Sequence, residues 1–146
     1  MKYRKTLIGL VLILVLGATT AYFGLREGHH IPECSTHLNG IAKAIIAYQE
    51  DNGKPPSDLS VLCSPGTMPK AIFFCSADPK GWSVVKTSET FYTSYAYFPN
   101  AVGSGKSVML YCPHHMRLFR CVTIAFGDGR ARDYSVKEAR QWLPDL

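Results

Sequence analysis

The cysteines and histidines are the residues of this chain with the most obvious capacity for chemistry. Cys112, His114, His115 and Cys121 lie within ten positions of one another. Two sulfurs and one or two imidazoles are ligand types that suit Zn²⁺. Their spacing matches no zinc finger or ribbon, however, and adjacent histidines on an extended chain point to opposite sides. We therefore expect no metal and no cofactor, with a zinc site at these four residues as the minor alternative.

The five cysteines also allow disulfides. Cys112 and Cys121 flank one predicted hairpin, and Cys63 and Cys75 bracket an 11-residue loop. A bridge across either loop would contribute about 3 kcal/mol in the loop-entropy description. We expect disulfides among these four residues. The sequence does not choose the connectivity, and other pairings, including Cys34 with Cys75, remain open.

Patterns typical of an active site are absent. The sequence has no Gly-x-Ser-x-Gly, no Cys-x-x-Cys and no phosphate-binding glycine loop. The aromatic residues of 91–98 are interpreted as sheet-stabilising side chains, although a ligand-binding face is the alternative. The sequence therefore predicts a protein that is not an enzyme.

An apolar segment opens the chain. Residues 6–25 carry no charge over 20 positions, which make about 30 Å of helix, the thickness of a bilayer's hydrocarbon core. Lys2, Arg4 and Lys5 precede this segment. The positive-inside rule then predicts a cytoplasmic tail at 1–5, a transmembrane helix at 6–25 and an extracytoplasmic domain at 26–146. We expect a signal anchor that makes a single pass through the inner membrane. A secretory signal cleaved before Tyr22 is the alternative.

The net charge of +5 says little about partners. Residues 31–146 hold 12 basic and 10 acidic side chains, a net charge of +2, and the basic ones are scattered. This distribution does not resemble the basic stripe of a nucleic-acid-binding protein, so nucleic acid is excluded as a partner.

A second helix and a turn follow the apolar segment. Apolar positions at steps of three and four predict an amphipathic helix over 33–51, with Leu38, Ile41 and Ile45 facing the core. We expect these to pack against Phe73, Val122 and Ile124 or their neighbours. The helix end and the redirected chain are predicted from Asp51, Asn52, Gly53, Pro55 and Pro56.

Beyond this turn the pattern changes from helix to strand. Residues 71–75, 91–98, 107–112 and 119–126 are rich in aromatic and branched side chains. Tight connections between them favour an antiparallel sheet of about four strands. A capping-box pattern, Ser135 with Glu138, predicts a short last helix.

This plan resembles the type IV pilins and the pseudopilins of type II secretion. Residues 46–56, IAYQEDNGKPP, resemble the helix end of major pseudopilins. Most of 34–143 is similar to pseudopilin-like proteins with a His-x9-Asp-Gly signature. The Phe-x-Cys-x-x-Asp strand of that family is matched by residues 73–78, and its signature by His115, Asp128 and Gly129.

Three features depart from the family pattern. His115 and Asp128 are separated by 12 residues instead of nine. The prepilin leader is degenerate, because Arg4 replaces its cleavage glycine and Gly9 its acidic residue. Without that acid, a filament loses its main polar register. Two carboxylates beside two arginines in 128–133 also make a poor oxygen cage for Ca²⁺.

Together these observations predict an α+β, pilin-like protein with a long amino-terminal helix, partly in the membrane and partly packed on the sheet. The function implied by the resemblance is a non-enzymatic structural or accessory component of a secretion or pilus-like envelope system. Expected partners are the membrane, other copies, pseudopilins or secretion components. Two alternatives remain: a membrane-tethered ligand-binding module and, less favoured, a thiol- or metal-dependent enzyme.

Overall fold

The structure, a computed structural model, describes residues 2–63, 67–78, 91–114 and 120–146. Within its first helix, the side chains of 2–7, 23–24 and 26–32 are outside the description. The helices and strands, in chain order, are α1 (Lys2–Asn52), β1 (Ala96–Tyr97), β2 (Val108–Cys112), β3 (Cys121–Phe126), β4 (Ala131–Ser135) and α2 (Val136–Ala139). Three short 3₁₀ helices lie in the connections, at Leu59–Leu62, Lys70–Phe73 and Pro99–Ala101.

The predicted membrane crossing is corrected by this structure. Among the residues that it describes, no helix combines the length and the apolar character that crossing a bilayer requires. The transmembrane helix at 6–25, the signal anchor, the single-pass inner-membrane location and the pilin-like fold class with a membrane half are therefore wrong.

The second half of α1 forms one side of the main core. Cys34, Leu38, Ile41 and Ile45 are fully buried on one stripe of the helix. The helix packs against β2, β3 and β4 and ends at Asn52. Gly53, with a φ of 71°, then reverses the chain, and its N–H donates to the Gln49 carbonyl at 2.8 Å.

The two prolines after this turn connect the helix end to the sheet. Pro56 is buried, and its carbonyl accepts a hydrogen bond of 2.9 Å from the Tyr97 hydroxyl in β1. Burial, together with the Asp58 carboxylate, raises the pKa of Tyr97 to about 12, so this hydroxyl stays a donor at neutral pH. The predicted turn therefore docks on the first strand.

The sheet is fully antiparallel, with strand order β1-β2-β3-β4. A register irregularity between Val108 and Leu110 places Met109 and Leu110 in the core beneath α1. The opposite face carries a second core, in which Val122 and Ile124 pack with Phe126 and the short helix α2. Val122 and Ile124 thus belong to the second core, and it is Ala125, the neighbour of Ile124, that lies in the core of α1 together with Phe73.

Two of the predicted strands differ from the observed ones. In place of the strand at 71–75, the chain forms a 3₁₀ turn at Lys70–Phe73, and only Ala96–Tyr97 of 91–98 forms a strand. The fourth strand is instead β4, whose adjacent charged residues Arg132 and Asp133 are exposed at the edge of the sheet. The capping box is confirmed, because Ser135 and Glu138 make both of its reciprocal hydrogen bonds.

Gly127 occupies the tightest backbone position among the glycines that the structure describes. A Cβ at this residue would lie 1.8 Å from the Ala101 carbonyl oxygen and 2.6 Å from that of Ser104. The Gly127 carbonyl also accepts from the Gly103 N–H at 2.8 Å. A side chain here would push two backbone segments apart.

We expect Gly127→Ala to lower the free energy of unfolding by about 3 kcal/mol or more, because the added methyl overlaps backbone that cannot rotate away. Urea unfolding followed by circular dichroism measures this change. Gly40→Ala is the matched control, since its new Cβ meets only Met68 Cε at 3.9 Å in a helix that favours alanine. Equal free energies of unfolding for Gly127→Ala and Gly40→Ala would contradict the close backbone packing at Gly127.

Candidate functional site

Three distant segments bring a cysteine each to one point inside the main core. Cys34 lies on α1, Cys75 follows the 3₁₀ turn Lys70–Phe73, and Cys112 ends β2. Their exposed fractions are 0%, 1% and 0%. Cys34 points inward because it occupies the same helical stripe as Leu38 and Ile41.

The three sulfur atoms are mutually close. Cys34 Sγ lies 3.1 Å from Cys75 Sγ and 3.8 Å from Cys112 Sγ. All three sulfurs lie within 4.8 Å of one another. Such a group has two chemical options, which are to bind a soft metal ion as thiolates or to join two of its sulfurs in a disulfide.

A tyrosine and a histidine border the cluster. The Tyr95 hydroxyl lies 3.8 Å from Cys34 Sγ and donates to the Phe74 carbonyl at 3.2 Å. His37 Nδ1, on the next turn of α1, lies 3.3 Å from the same hydroxyl. Burial, and then the neighbouring cysteine sulfurs, raise the pKa of Tyr95, which keeps its proton at any physiological pH.

The pKa values of the cysteines are shifted upward. At Cys34 the hydrogen bond with Cys112 lowers the pKa, but the hydrogen bond with Cys75 and burial together raise it to about 12. Hydrogen bonds with Cys34 and Cys75, and burial, raise the pKa of Cys112. Because the thiolate is the nucleophile, these neutral thiols are poor candidates for covalent catalysis.

A buried carboxylate lies in the segment that follows Cys75. Asp78 is 1% exposed, and its Oδ2 accepts hydrogen bonds from the Tyr92 hydroxyl at 2.9 Å and the Ser94 hydroxyl at 2.8 Å. His114 Nε2 lies 3.4 Å from the same oxygen. This network fastens three segments to one carboxylate, which is a structural use of an aspartate.

The described residues of the predicted zinc site do not form one group of ligands. Cys112 faces Cys34 and Cys75, while His114 pairs with Asp78. Cys121 is half-buried at the start of β3 and is not part of the sulfur cluster. His115 lies outside the described residues.

Of the four cysteines expected to form disulfides, the structure brings Cys75 and Cys112 together, and it adds Cys34 to them. All five cysteines are within the described part of the chain, and no disulfide joins any two of them there. Cys75 and Cys112 both face Cys34, and Cys63 is half-buried after the 3₁₀ turn Leu59–Leu62. The geometry favours a pairing with Cys34.

The family-signature residues Asp128 and Gly129 form the turn between β3 and β4. Gly129 has a φ of 85°, and its N–H donates to the Phe126 carbonyl at 2.9 Å. The Arg130 guanidinium donates to the Asp128 carboxylate at 2.6 Å and lowers the pKa of that group. This turn is in close contact with α1, since a Cβ at Gly129 would lie 2.8 Å from Ile46 Cδ1.

Sequence reasoning named Cys34 only as one of several possible disulfide partners, and it missed His37 and Tyr95 as site residues. The signal for Cys34 was present, because its helical spacing placed it on the buried stripe. His37 and Tyr95 are brought together only by the tertiary fold, across 58 positions of chain.

We expect a thiol reagent such as iodoacetamide to modify Cys63 well before Cys34 or Cys112 in the reduced, folded protein at pH 8. Cys63 is partly exposed, whereas the other two are buried and their raised pKa values suppress the thiolate. Mass spectrometry of timed samples measures the order. Equal rates for all three would show that the cluster is open to solvent.

We expect Asp78→Ala to destabilise the protein by about 2–3 kcal/mol, because the buried Ser94 hydroxyl and the Tyr92 hydroxyl lose their acceptor. Tyr92→Phe is the milder partner variant, with an expected loss of about 1 kcal/mol. Thermal unfolding of both variants gives the comparison. A larger loss from Tyr92→Phe would contradict the central place of Asp78 in the network.

Comparison of the chain with protein-family models, with curated proteins and with solved structures gives no match.

Proposed function

We propose that the protein is a non-enzymatic structural component, whose projecting helix packs with the helices of other copies or of pseudopilin-like partners in a secretion or pilus-like assembly. The observation that carries this proposal is the exposed apolar surface of the first half of α1.

Helix α1 has two regions of opposite character. From Cys34 onward it belongs to the domain core, whereas residues 8–22 lie outside that core.

The apolar side chains of this first region are open. Their exposed fractions run from 52% at Val11 to 72% at Ile13. A contiguous apolar surface of this length is typical of an interaction site. We call residues 8–16 the apolar rod.

The apolar rod has no polar side. Residues 10–16 are all large and apolar, and seven consecutive helical residues complete almost two turns. A helix that is apolar all round is stable in water only when it is covered on every side. One partner helix covers one side, so the rod favours a bundle of several helices over a dimer.

The composition of the rod favours copies of the same chain. Residues 8–22 contain no charged side chain that would select a different partner. Gly9 stands where the family has an acid, so a filament register based on that acid is missing. We therefore infer a finite bundle.

The other functional classes have less support. The hydroxyls of Tyr92, Tyr95 and Tyr97 are all used within the domain, on Asp78, Phe74 and Pro56 respectively. Tyr95 is also buried, so it offers no open ring face to a ligand. Among the described residues, Cys112 and His114 belong to separate contacts, so the enzyme alternative loses the convergence of these two residues on which it was based.

The test compares substitutions on two opposite faces of the apolar rod in the full chain. One variant carries Leu10→Gln, Ile13→Gln and Leu14→Gln, and the other carries Leu12→Gln, Val15→Gln and Leu16→Gln. We expect each triple change to weaken self-association at least ~100-fold, because each buried apolar side chain contributes about 1.5–3 kcal/mol. Sedimentation velocity over a range of concentrations measures the association.

Val61→Gln is the matched control, since Val61 is an exposed apolar residue outside the rod. It should leave association unchanged, and near-ultraviolet circular dichroism should be the same in all variants. If only one of the two triple variants lost association, the rod would be covered on one side only, and the assembly would be a dimer instead of a bundle. A wild-type chain that remains a single copy, whether free or bound to lipid vesicles, would overturn the proposal.

A further inference from the structure

We propose that Cys34 and Cys75 form a disulfide in the oxidised protein, which joins α1 to the segment after the 3₁₀ turn Lys70–Phe73, while Cys112 stays a thiol. This inference rests on the sulfur cluster alone and is independent of the proposed assembly.

The sulfur–sulfur distances distinguish a disulfide from a metal site. Two thiolates on one tetrahedral Zn²⁺, with bonds of about 2.3 Å, hold their sulfurs roughly 3.8 Å apart. The Cys34–Cys112 distance of 3.8 Å matches that value, but the Cys34–Cys75 distance of 3.1 Å is too short for it. The shorter pair needs only a movement of about 1 Å to reach the bond length of a disulfide.

The surroundings of the cluster also favour the disulfide. Core residues such as Leu38 and Met109 belong to the same apolar cluster as the three cysteines. A disulfide carries no charge and no proton, so burial among these side chains costs it little.

Formation of this bond requires an oxidant, for which we name a disulfide donor such as oxidised glutathione. One cysteine thiolate attacks the donor, releases one donor thiol and forms a mixed disulfide. The second cysteine then attacks the mixed disulfide and releases the other donor thiol. Two cysteine thiols are oxidised, one donor disulfide is reduced to two thiols, and the two protons pass to the leaving sulfurs. Because both sulfurs are buried in the folded chain, the reaction belongs to folding.

The bond would close a long loop. Cys34 and Cys75 are 41 positions apart, and cross-linking across such a span removes much of the entropy of the unfolded chain. The expected gain in the folding equilibrium constant is about 1,000-fold. Reduction should therefore lower the Tm by roughly 10 °C in a chain of this size.

The experiment refolds the full chain from the reduced, unfolded state in a buffer of reduced and oxidised glutathione. Acid quenching, denaturation and labelling with N-ethylmaleimide then count the free thiols by intact mass. Since the chain has five cysteines, we expect three labels, and proteolytic mapping should yield one linked peptide pair that contains Cys34 and Cys75.

Three variants test the pairing. Cys112→Ser should retain the linked peptide pair and show two labelled thiols. The double variant Cys63→Ala, Cys121→Ala should also retain the pair and show one labelled thiol. Cys34→Ser should take four labels, with its fold checked by circular dichroism.

Other outcomes overturn the proposal. Five labels on the oxidised wild type would show that no bond forms, and five labels with a retained metal ion in native mass spectrometry would assign the cluster to metal. A map that links Cys34 to Cys112, or a Cys34→Ser variant that still loses two thiols, would assign the bond to a different pair.

Discussion

The burial of a single helical stripe by the sheet is the interaction on which the remaining structure depends. Cys34, Leu38, Ile41 and Ile45 are fully covered, and this cover comes from β2, β3 and β4 together with the chain near Phe73. At about 25 cal/mol per Å² of apolar surface, this contact outweighs any single hydrogen bond in the domain. Three further features complete the burial of this stripe. They are the helix end, the prolines that contact β1 and the Asp128–Gly129 turn.

The sulfur cluster lies at a mechanically important position on that stripe. Along α1, Cys34 is the first buried residue that the structure describes, after exposed positions at 8, 10–22, 25 and 33. A covalent bond at this point would fix the helix where it enters the domain. Forces that act on the apolar rod would then be carried by a bond as well as by packing.

The elements that depend on local chemistry could be predicted from the sequence. The helix end at Gly53 follows from the left-handed conformation that glycine permits, and the cap at Ser135 follows from hydrogen bonds between near neighbours. The strand β4 was missed because its charged residues show none of the apolar alternation of a buried strand. The aromatic and branched side chains of 71–75 misled the prediction of a strand, because a 3₁₀ turn begins there after Pro69.

The candidate site was only partly predictable, because three remote segments build it. Helical spacing turns Cys34 inward, but the side of the sheet that Cys112 faces depends on the irregularity between Val108 and Leu110. A shift of one residue in a strand moves every side chain to the other face, and the sequence gives no sign of this irregularity. The predicted pairs therefore used cysteines close in sequence, whereas the fold brings together cysteines 41 and 78 positions apart.

The two outer strands give the domain protection against aggregation. Strand β1 is only two residues long, and β4 exposes Arg132 and Asp133 along its free edge. Short or charged edges disfavour the addition of a foreign strand, which is the first step toward amyloid-like growth. Because its sheet edges disfavour strand addition, a protein with an exposed apolar rod can bring its helices together at high local concentration while its sheets remain separate.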